Sequence, residues 1–372
     1  MVRTSIRNAV ILFALLCATA AIYAPVKDAP FVYEDENWIA NIQDDVSLVP
    51  KPSRVLTHMT FRWTYERVNL APRVWHLTNV GLHLVNGVLV YAMAASVLGS
   101  PVALGAAGLF LLHPLNAEAV SYVTARADLL STMFILLAIL VALGQGWWLA
   151  RGIACAVLLA AAAQSKEVAV VGAPLVILAL ACWRRTSIPW LSPLLAGLWV
   201  AIGAALGAIT PQLLSYASMS PTTSGSFLPV QQYALFQGGM VWKFLIMALW
   251  PVGLTIDHDV LLFGQAWLAL SAIGIGAALT LAMCIWRWSP STAWVIGSVA
   301  IALAPRFLFR TNEFLNEHQI YTAFAWVWIA VAVVIDRAWR SMRLIDSGFW
   351  RLYEMETTAS LKENSMVEAK QW

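Results

Sequence analysis

Three neighbouring carboxylates, Glu34, Asp35 and Glu36, stand in the run Phe31-Val-Tyr-Glu-Asp-Glu-Asn-Trp38. Adjacent carboxylates raise one another's pKa or bind a cation. One of them could serve as general base toward a hydroxyl; a solvated acidic turn or a helix N-cap is the plainer use. A second group, His113-Pro-Leu-Asn-Ala-Glu118 followed by Ala125-Arg-Ala-Asp128, puts Glu118, Arg126 and Asp128 close in sequence. Arg126 could hold a phosphate through its planar fork of donors, or pair with Glu118 or Asp128. Ser165-Lys-Glu167 offers Lys166 either to Glu167 or to an anion. Asp257-His-Asp259 sets two carboxylates around an imidazole, a weak metal pattern. The stretch from Glu313 to Tyr321 carries Glu317 and His318, with Arg306 and Arg310 before it. His76, Asn79 and His83 share one helical face, where packing hydrogen bonds are the commoner use.

The elements that must position these groups are apolar. The 372-residue chain is 60% hydrophobic and 12% charged, about half the charge of a soluble domain. Apolar runs occur near 8–24, 76–98, 102–115, 129–149, 152–163, 168–183, 189–209, 264–286, 291–305 and 319–335. Most approach the 20 residues a bilayer-crossing helix needs, and they are continuous, which excludes a β-barrel. The 19 tryptophans suit interfacial belts. The four cysteines sit inside apolar runs with no metal spacing and no disulfide framework. A net charge of +3 gives no reason to expect nucleic acid.

Charge sets the expected topology. Arg3 and Arg7 precede the first run, which reads as a retained helix or as a signal peptide with Ala18–Ala21 at its cleavage site. With the first helix retained and the N-terminus inside, Arg151, Arg184, Arg185, Arg287 and the Arg337–Arg343 cluster also face the cytoplasm. Every acidic residue before Asp336 then lies outside, and all six histidines fall on the outer side or in the outer half of a helix. This holds only if 230–250 is re-entrant or interfacial. The expectation is an all-α polytopic inner-membrane protein of about ten spans, with both termini cytoplasmic and its chemistry on the periplasmic face. Residues 1–336 form the membrane domain, with periplasmic loops at 25–75 and 210–262, and 337–372 form a cytoplasmic tail. Cations and carboxylates gathered at one membrane face imply function. A lipid-linked phosphate needs both: a cation for the phosphate, and a carboxylate base beside the transferred group.

The order of motifs is more specific. Phe-Val-Tyr-acid-Asp35, Arg54-x-Leu-Thr with Thr60-Phe61 and Tyr65, Pro72-x-x-Trp-His-Leu-x-Asn-x-x-Leu-His83, His113-Pro-x-x-x-Glu-Ala-Val, Arg126-Ala-Asp-Leu-Leu and Ser-Lys166-Glu167 succeed one another along the chain. Together they resemble the transmembrane and tetratricopeptide-repeat protein O-mannosyltransferases of the GT-C glycosyltransferase superfamily. The likeness is dense over about 31–170. It is sparser at Pro251-x-x-Leu-x-x-Asp257 and Asn316-Glu317-x-x-x-Tyr321.

The resemblance implies a GT-C-like helical bundle that moves a sugar, mannose or a similar hexose, from a polyprenyl-phosphate donor to an acceptor hydroxyl with inversion. It implies Asp35 as base, with Glu34 as the first acid of the pair, and Arg126, Lys166 and His113 at the donor phosphate. Glu118, Asp128, Glu167, Arg54, His76, His83, Asp257, Glu317 and Tyr321 are expected to support the site. No cofactor is expected, and no metal ligand is assigned; the partners are membrane lipid, the lipid-linked sugar and a periplasmic acceptor. Three departures bear on the acceptor. Tetratricopeptide repeats are absent from these residues, the family pattern has one further helix, and Glu317-His-Gln-Ile-Tyr321 stands where the family has Glu-Arg-x-Leu-Tyr. A periplasmic protein is the first acceptor expected. A lipid or polysaccharide acceptor, or a non-catalytic lipid-binding subunit of a membrane complex, is the alternative.

Overall fold

The computed structural model describes residues 2–32, 35, 54–98, 100–183, 230–255, 258, 271, 273–274, 276, 290–308, 315–340 and 342. Among them every regular element is helical. Among the described residues four stretches are long and apolar enough to cross a bilayer: Ile6–Asp28, Pro72–Ser96, Val123–Leu143 and His318–Arg340. A bent pair, Ser100–Leu112 with Pro114–Ser121, makes a fifth if it counts as one span. Of the ten expected spans, 189–209 and most of 264–286 lie outside the described residues.

Helix α1 (Val2–Tyr23) presents Phe13, Ile22 and Val10 outward, as a lipid-facing helix should. Part of the expected first loop, 25–75, is helical. It holds α2 (Val55–Val68), and Pro72 opens α3 (Pro72–Val97) from the position where a missing N–H costs nothing. Helix α4 (Ser100–Leu112) packs closely on α3 because Gly87 has no side chain. A Cβ there would lie 2.3 Å from Leu111 Cδ2.

Pro114 then forbids helical continuation at His113, and the chain bends by 53°. Beyond the bend the chain is compact: a 3-10 turn at Pro114–Asn116, α5 (Ala117–Ser121), a second 3-10 turn at Val123–Ala125, and α6 (Arg126–Leu143). The apolar run expected to reach 149 stops at Leu143. Arg151 Nη1 donates to the carbonyls of Ala142 and Gly144 and so closes the helix end. Gly146 supplies the positive φ of 111° that the reversal needs.

The short run at 152–163 lengthens at both ends into α7 (Trp148–Ser165). Lys166 is extended, a 3-10 turn spans Glu167–Val171, and α8 (Gly172–Trp183) comes next. The segment 230–250 is one helix, α9 (Val230–Leu249). Then come α10 (Pro290–Leu303), α11 (Pro305–Leu308) and α12, residues 321–340. Helix α12 takes in the first four residues of the expected tail, 337–340.

Helix α6 is the hub, packed against α3, α7 and α8. In a bilayer, lipid is as apolar as leucine, so close approach of helices does the stabilising work. Ala103, Ala106, Ala107, Ala138, Ala162 and Ala179 accordingly have no solvent exposure.

Candidate functional site

Asp35 is 1% exposed, which removes the solvated acidic turn from its readings. Its Oδ1 accepts from the Thr124 amide at 2.8 Å and the Thr124 hydroxyl at 2.6 Å. Its Oδ2 accepts from the Val123 amide at 3.3 Å. The tight turn before α6 aims these donors at one point. Burial pushes the carboxyl above its ordinary range, and the bonds from Thr124 and Val123 pull the other way. Glu34 lies outside the described residues, as does Asp257.

Arg126 has no solvent exposure. Its Nε donates to Asn79 Oδ1 at 3.0 Å, Nη1 to Thr64 Oγ1 at 3.2 Å and Thr60 O at 3.4 Å, and Nη2 to Trp75 O at 3.1 Å. The guanidinium also lies 4.7 Å from the Phe61 ring centre and 5.4 Å from that of Trp75. Its hydrogen-bond partners are therefore neutral groups, where the spacing offered Glu118 or Asp128. Asp35 lies within its electrostatic reach.

The lysine pairing also differs from the sequence's offer. Lys166 Nζ bonds both oxygens of Asp128, at 2.6 and 2.5 Å, and the pair is buried. Glu167 instead takes Arg54 Nε at 2.9 Å. An extended Lys166 and a 3-10 turn at Glu167 send the two side chains different ways. Thr57 Oγ1 adds a bond to Ser165 O at 2.8 Å, fastening α2 to this turn.

Five of the six histidines fall into two groups. His113 accepts the Leu115 amide at Nδ1, so Nε2 carries hydrogen and donates to Ala248 O at 3.0 Å. His83 Nε2 meets Leu111 O at 3.1 Å, and Nδ1 meets the Tyr321 hydroxyl at 2.7 Å; Asn86 Nδ2 donates to the same hydroxyl at 3.3 Å. His76 Nε2 meets Ala29 O at 3.1 Å. These three knit helices together, the packing use expected for His76 and His83.

Two further histidines meet carboxylates. His318 Nδ1 lies 2.7 Å from Glu118 Oε1, and its backbone amide donates to Glu118 Oε2 at 2.9 Å. His258 Nε2 lies 3.0 Å from Glu317 Oε1, which also accepts the Thr255 amide at 3.0 Å. Burial raises the Glu317 carboxyl to about 7. The Tyr122 ring stands edge-on to His318 with centres 5.7 Å apart. Tyr122 therefore links the His318–Glu118 pair to the Val123–Thr124 turn that grips Asp35. Among the described residues no group of three or more His, Cys, Asp or Glu could hold a metal.

Sequence reasoning missed Thr124, which carries no charge and belongs to none of the spaced motifs. It also gave His318 no role, although the Glu-His-Gln-Ile-Tyr departure already marked it.

The fold and site define a polytopic helical membrane protein with a fixed, buried carboxylate beside clustered cation–carboxylate pairs. Over part of its length the chain is similar to proteins named protein O-mannosyl-transferase. One, TMTC3 of Mus musculus, is 35% identical over 109 residues, 29% of this chain and 12% of that protein. Tmtc1 of Drosophila melanogaster is 42% identical over 88 residues, 23% of this chain and 10% of the relative. Tmtc2 of the same organism is 33% identical over 189 residues, 42% and 20% respectively. The matched stretches thus span a fifth or less of these relatives. No family model matches the chain, and no solved structure does.

Proposed function

We propose that the chain transfers a hexose, mannose by the names of its relatives, from a polyprenyl-phosphate donor to a hydroxyl of a periplasmic acceptor, a protein Ser or Thr first. The observation that carries this reading is Asp35, a carboxylate withdrawn from solvent whose two oxygens are fixed by Val123 and Thr124. A base poised above the usual carboxylate range is stronger toward a hydroxyl than a solvated one.

In the reaction the acceptor oxygen bonds to the anomeric carbon from the face opposite the phosphate. Asp35 takes the hydroxyl proton as that bond forms. The bond from the anomeric carbon to the phosphate oxygen breaks, and its electron pair leaves with the polyprenyl phosphate. Configuration inverts, the proton rests on Asp35, and no step draws on a metal or a nucleotide. The reading sets the site on the periplasmic face of an inner membrane.

Asp35→Asn tests it. One positioned base is worth about 10²–10⁴-fold, so transfer should fall by that factor while the helices still insert. Full transfer in this variant sinks the assignment. A scaffold reading has one observation in its favour: three hydrogen bonds to a buried Asp35 also suit a structural cap on the turn before α6. That reading expects Asp35→Asn to lower the unfolding midpoint and wild-type protein to show no transfer.

A further inference from the structure

The three groups expected at the donor phosphate are otherwise engaged. Arg126 donates to four acceptors, Lys166 is bidentate on Asp128, and both nitrogens of His113 are bonded. Another cationic group lies close by. His318 is turned by Glu118 so that Nδ1 faces the carboxylate, leaving Nε2 without a protein partner among the described residues. Lys243 of α9 lies within electrostatic reach of Glu317, and Arg306 within reach of Glu118. Arg306 also sits over the Phe244 ring at 5.3 Å.

Two cations, Lys243 and Arg306, thus face Glu118 and Glu317, with Asp128 also in reach of Arg306 but paired to Lys166, and burial raises the Glu317 carboxyl to about 7. Two cations beside the outward imidazole nitrogen of His318 suit an anion.

Directly beside it is a narrow apolar crevice. Helix α9 lines it with Val241, Phe244, Leu245 and Ala248, and Leu303 adds the end of α10. The chain just after His318 and the start of α12 line it with Ile320, Ala323, Phe324 and Val327. The spacing 320, 323, 324, 327 is one face of a helix over two turns, about 10 Å at 1.5 Å per residue. The crevice therefore runs from the His318 end along α12. Lys243 and Phe244 are consecutive on α9, and Ile320 stands two residues after His318, so the apolar track and the cations meet at one end.

We propose, resting on the donor class above, that this crevice carries the first isoprene units of the polyprenyl phosphate, and that His318 and Lys243 contact its phosphate. The match is chemical: an apolar crevice two helical turns long, about 20 Å³ in volume and so required to widen for an isoprene unit, ends in positive charge, with Tyr122 between that charge and the Asp35 turn. Glu118 is then a positioning residue that presents His318 Nε2 outward.

The test is a binding measurement, separate from transfer. The full chain in phosphatidylcholine nanodiscs is photolysed with a polyprenyl phosphate bearing a photoreactive first isoprene, and the labelled peptides are sequenced. Labelling within 241–248 and 320–327 is expected. Lys243→Gln and His318→Gln should each weaken it by about tenfold, the scale of one hydrogen bond to a charged group. His318→Arg should retain it. Labelling elsewhere overturns the proposal, as does unchanged affinity in both glutamine variants with wild-type unfolding midpoints. Equal labelling by a phosphatidic acid with the same photoreactive group also overturns it, since the crevice would then take a phospholipid. The wild-type map decides the matter even if a variant fails to fold. Crevice labelling without any transfer would sink the transferase reading alone. Active transfer with labelling elsewhere would sink only the crevice.

Discussion

Thr124 holds one oxygen of Asp35 twice, through its amide at 2.8 Å and its hydroxyl at 2.6 Å. The hydroxyl bond favours the ionised carboxylate against the burial that disfavours it. Thr124→Val keeps the shape and the amide bond but removes the hydroxyl bond. The carboxyl then moves further up, and a base works only when deprotonated. The acidic limb of the pH–rate profile should therefore shift to higher pH, with rate lost on its low-pH side by about tenfold. Thr124→Ser should restore the limb. A lower rate with an unmoved limb would assign Thr124 to packing alone.

Glu317 gives a stability dependence of defined sign. Its folded-state value of about 7 lies above its ordinary 4.5 because it is buried and faces Glu118, with the Thr255 amide and Lys243 opposing. His258 bonds the same carboxylate. A raised carboxyl means that the folded state holds the proton more tightly than the unfolded chain. Its contribution is full below about pH 4.5 and is lost as pH rises through about 7. Unfolding midpoints between pH 5 and 8 should fall less steeply for Glu317→Gln than for wild type. Identical slopes would show that the carboxyl titrates normally.

The Asp128–Lys166 pair ties α6 to the turn between α7 and α8. Removing one partner leaves a buried charge, so Asp128→Asn should cost about 3–5 kcal/mol. Replacing both, as Asp128→Leu with Lys166→Met, should recover most of that loss in a thermal unfolding series. If Asp128→Asn leaves the midpoint unchanged, the pair is solvated.

Gly87 tests the packing of α3 on α4. A Cβ there would lie within 3 Å of three side-chain atoms of Leu111. Gly87→Ala should destabilise by about 1–3 kcal/mol, and Leu111→Ala on the same background should relieve part of it. Additive losses in the double variant would show that the two do not touch.

How much of this was legible in residue order depends on the range of the interaction. Apolar runs of bilayer length specify helices locally, and Pro114 ends α4 by its own ring, so the places of several helices and of this break could be read, while the expected ten spans compare with four or five among the described residues. The acidic run Glu34–Glu36 could be picked out by its charge, but the choice of Asp35 within it came from the resemblance and not from the residues themselves. Partner choice could not be read. Lys166 and Glu167 are chain neighbours, yet their partners are Asp128 and Arg54, 38 and 113 residues away, because an extended residue and then a 3-10 turn split them. Arg126 looked open to a phosphate until Thr60, Thr64, Trp75 and Asn79 closed around it. Residue types and helical period are set one turn at a time and so belong to the sequence. Which cation remains available to a ligand depends on groups brought together across several helices, and only the tertiary structure decides that.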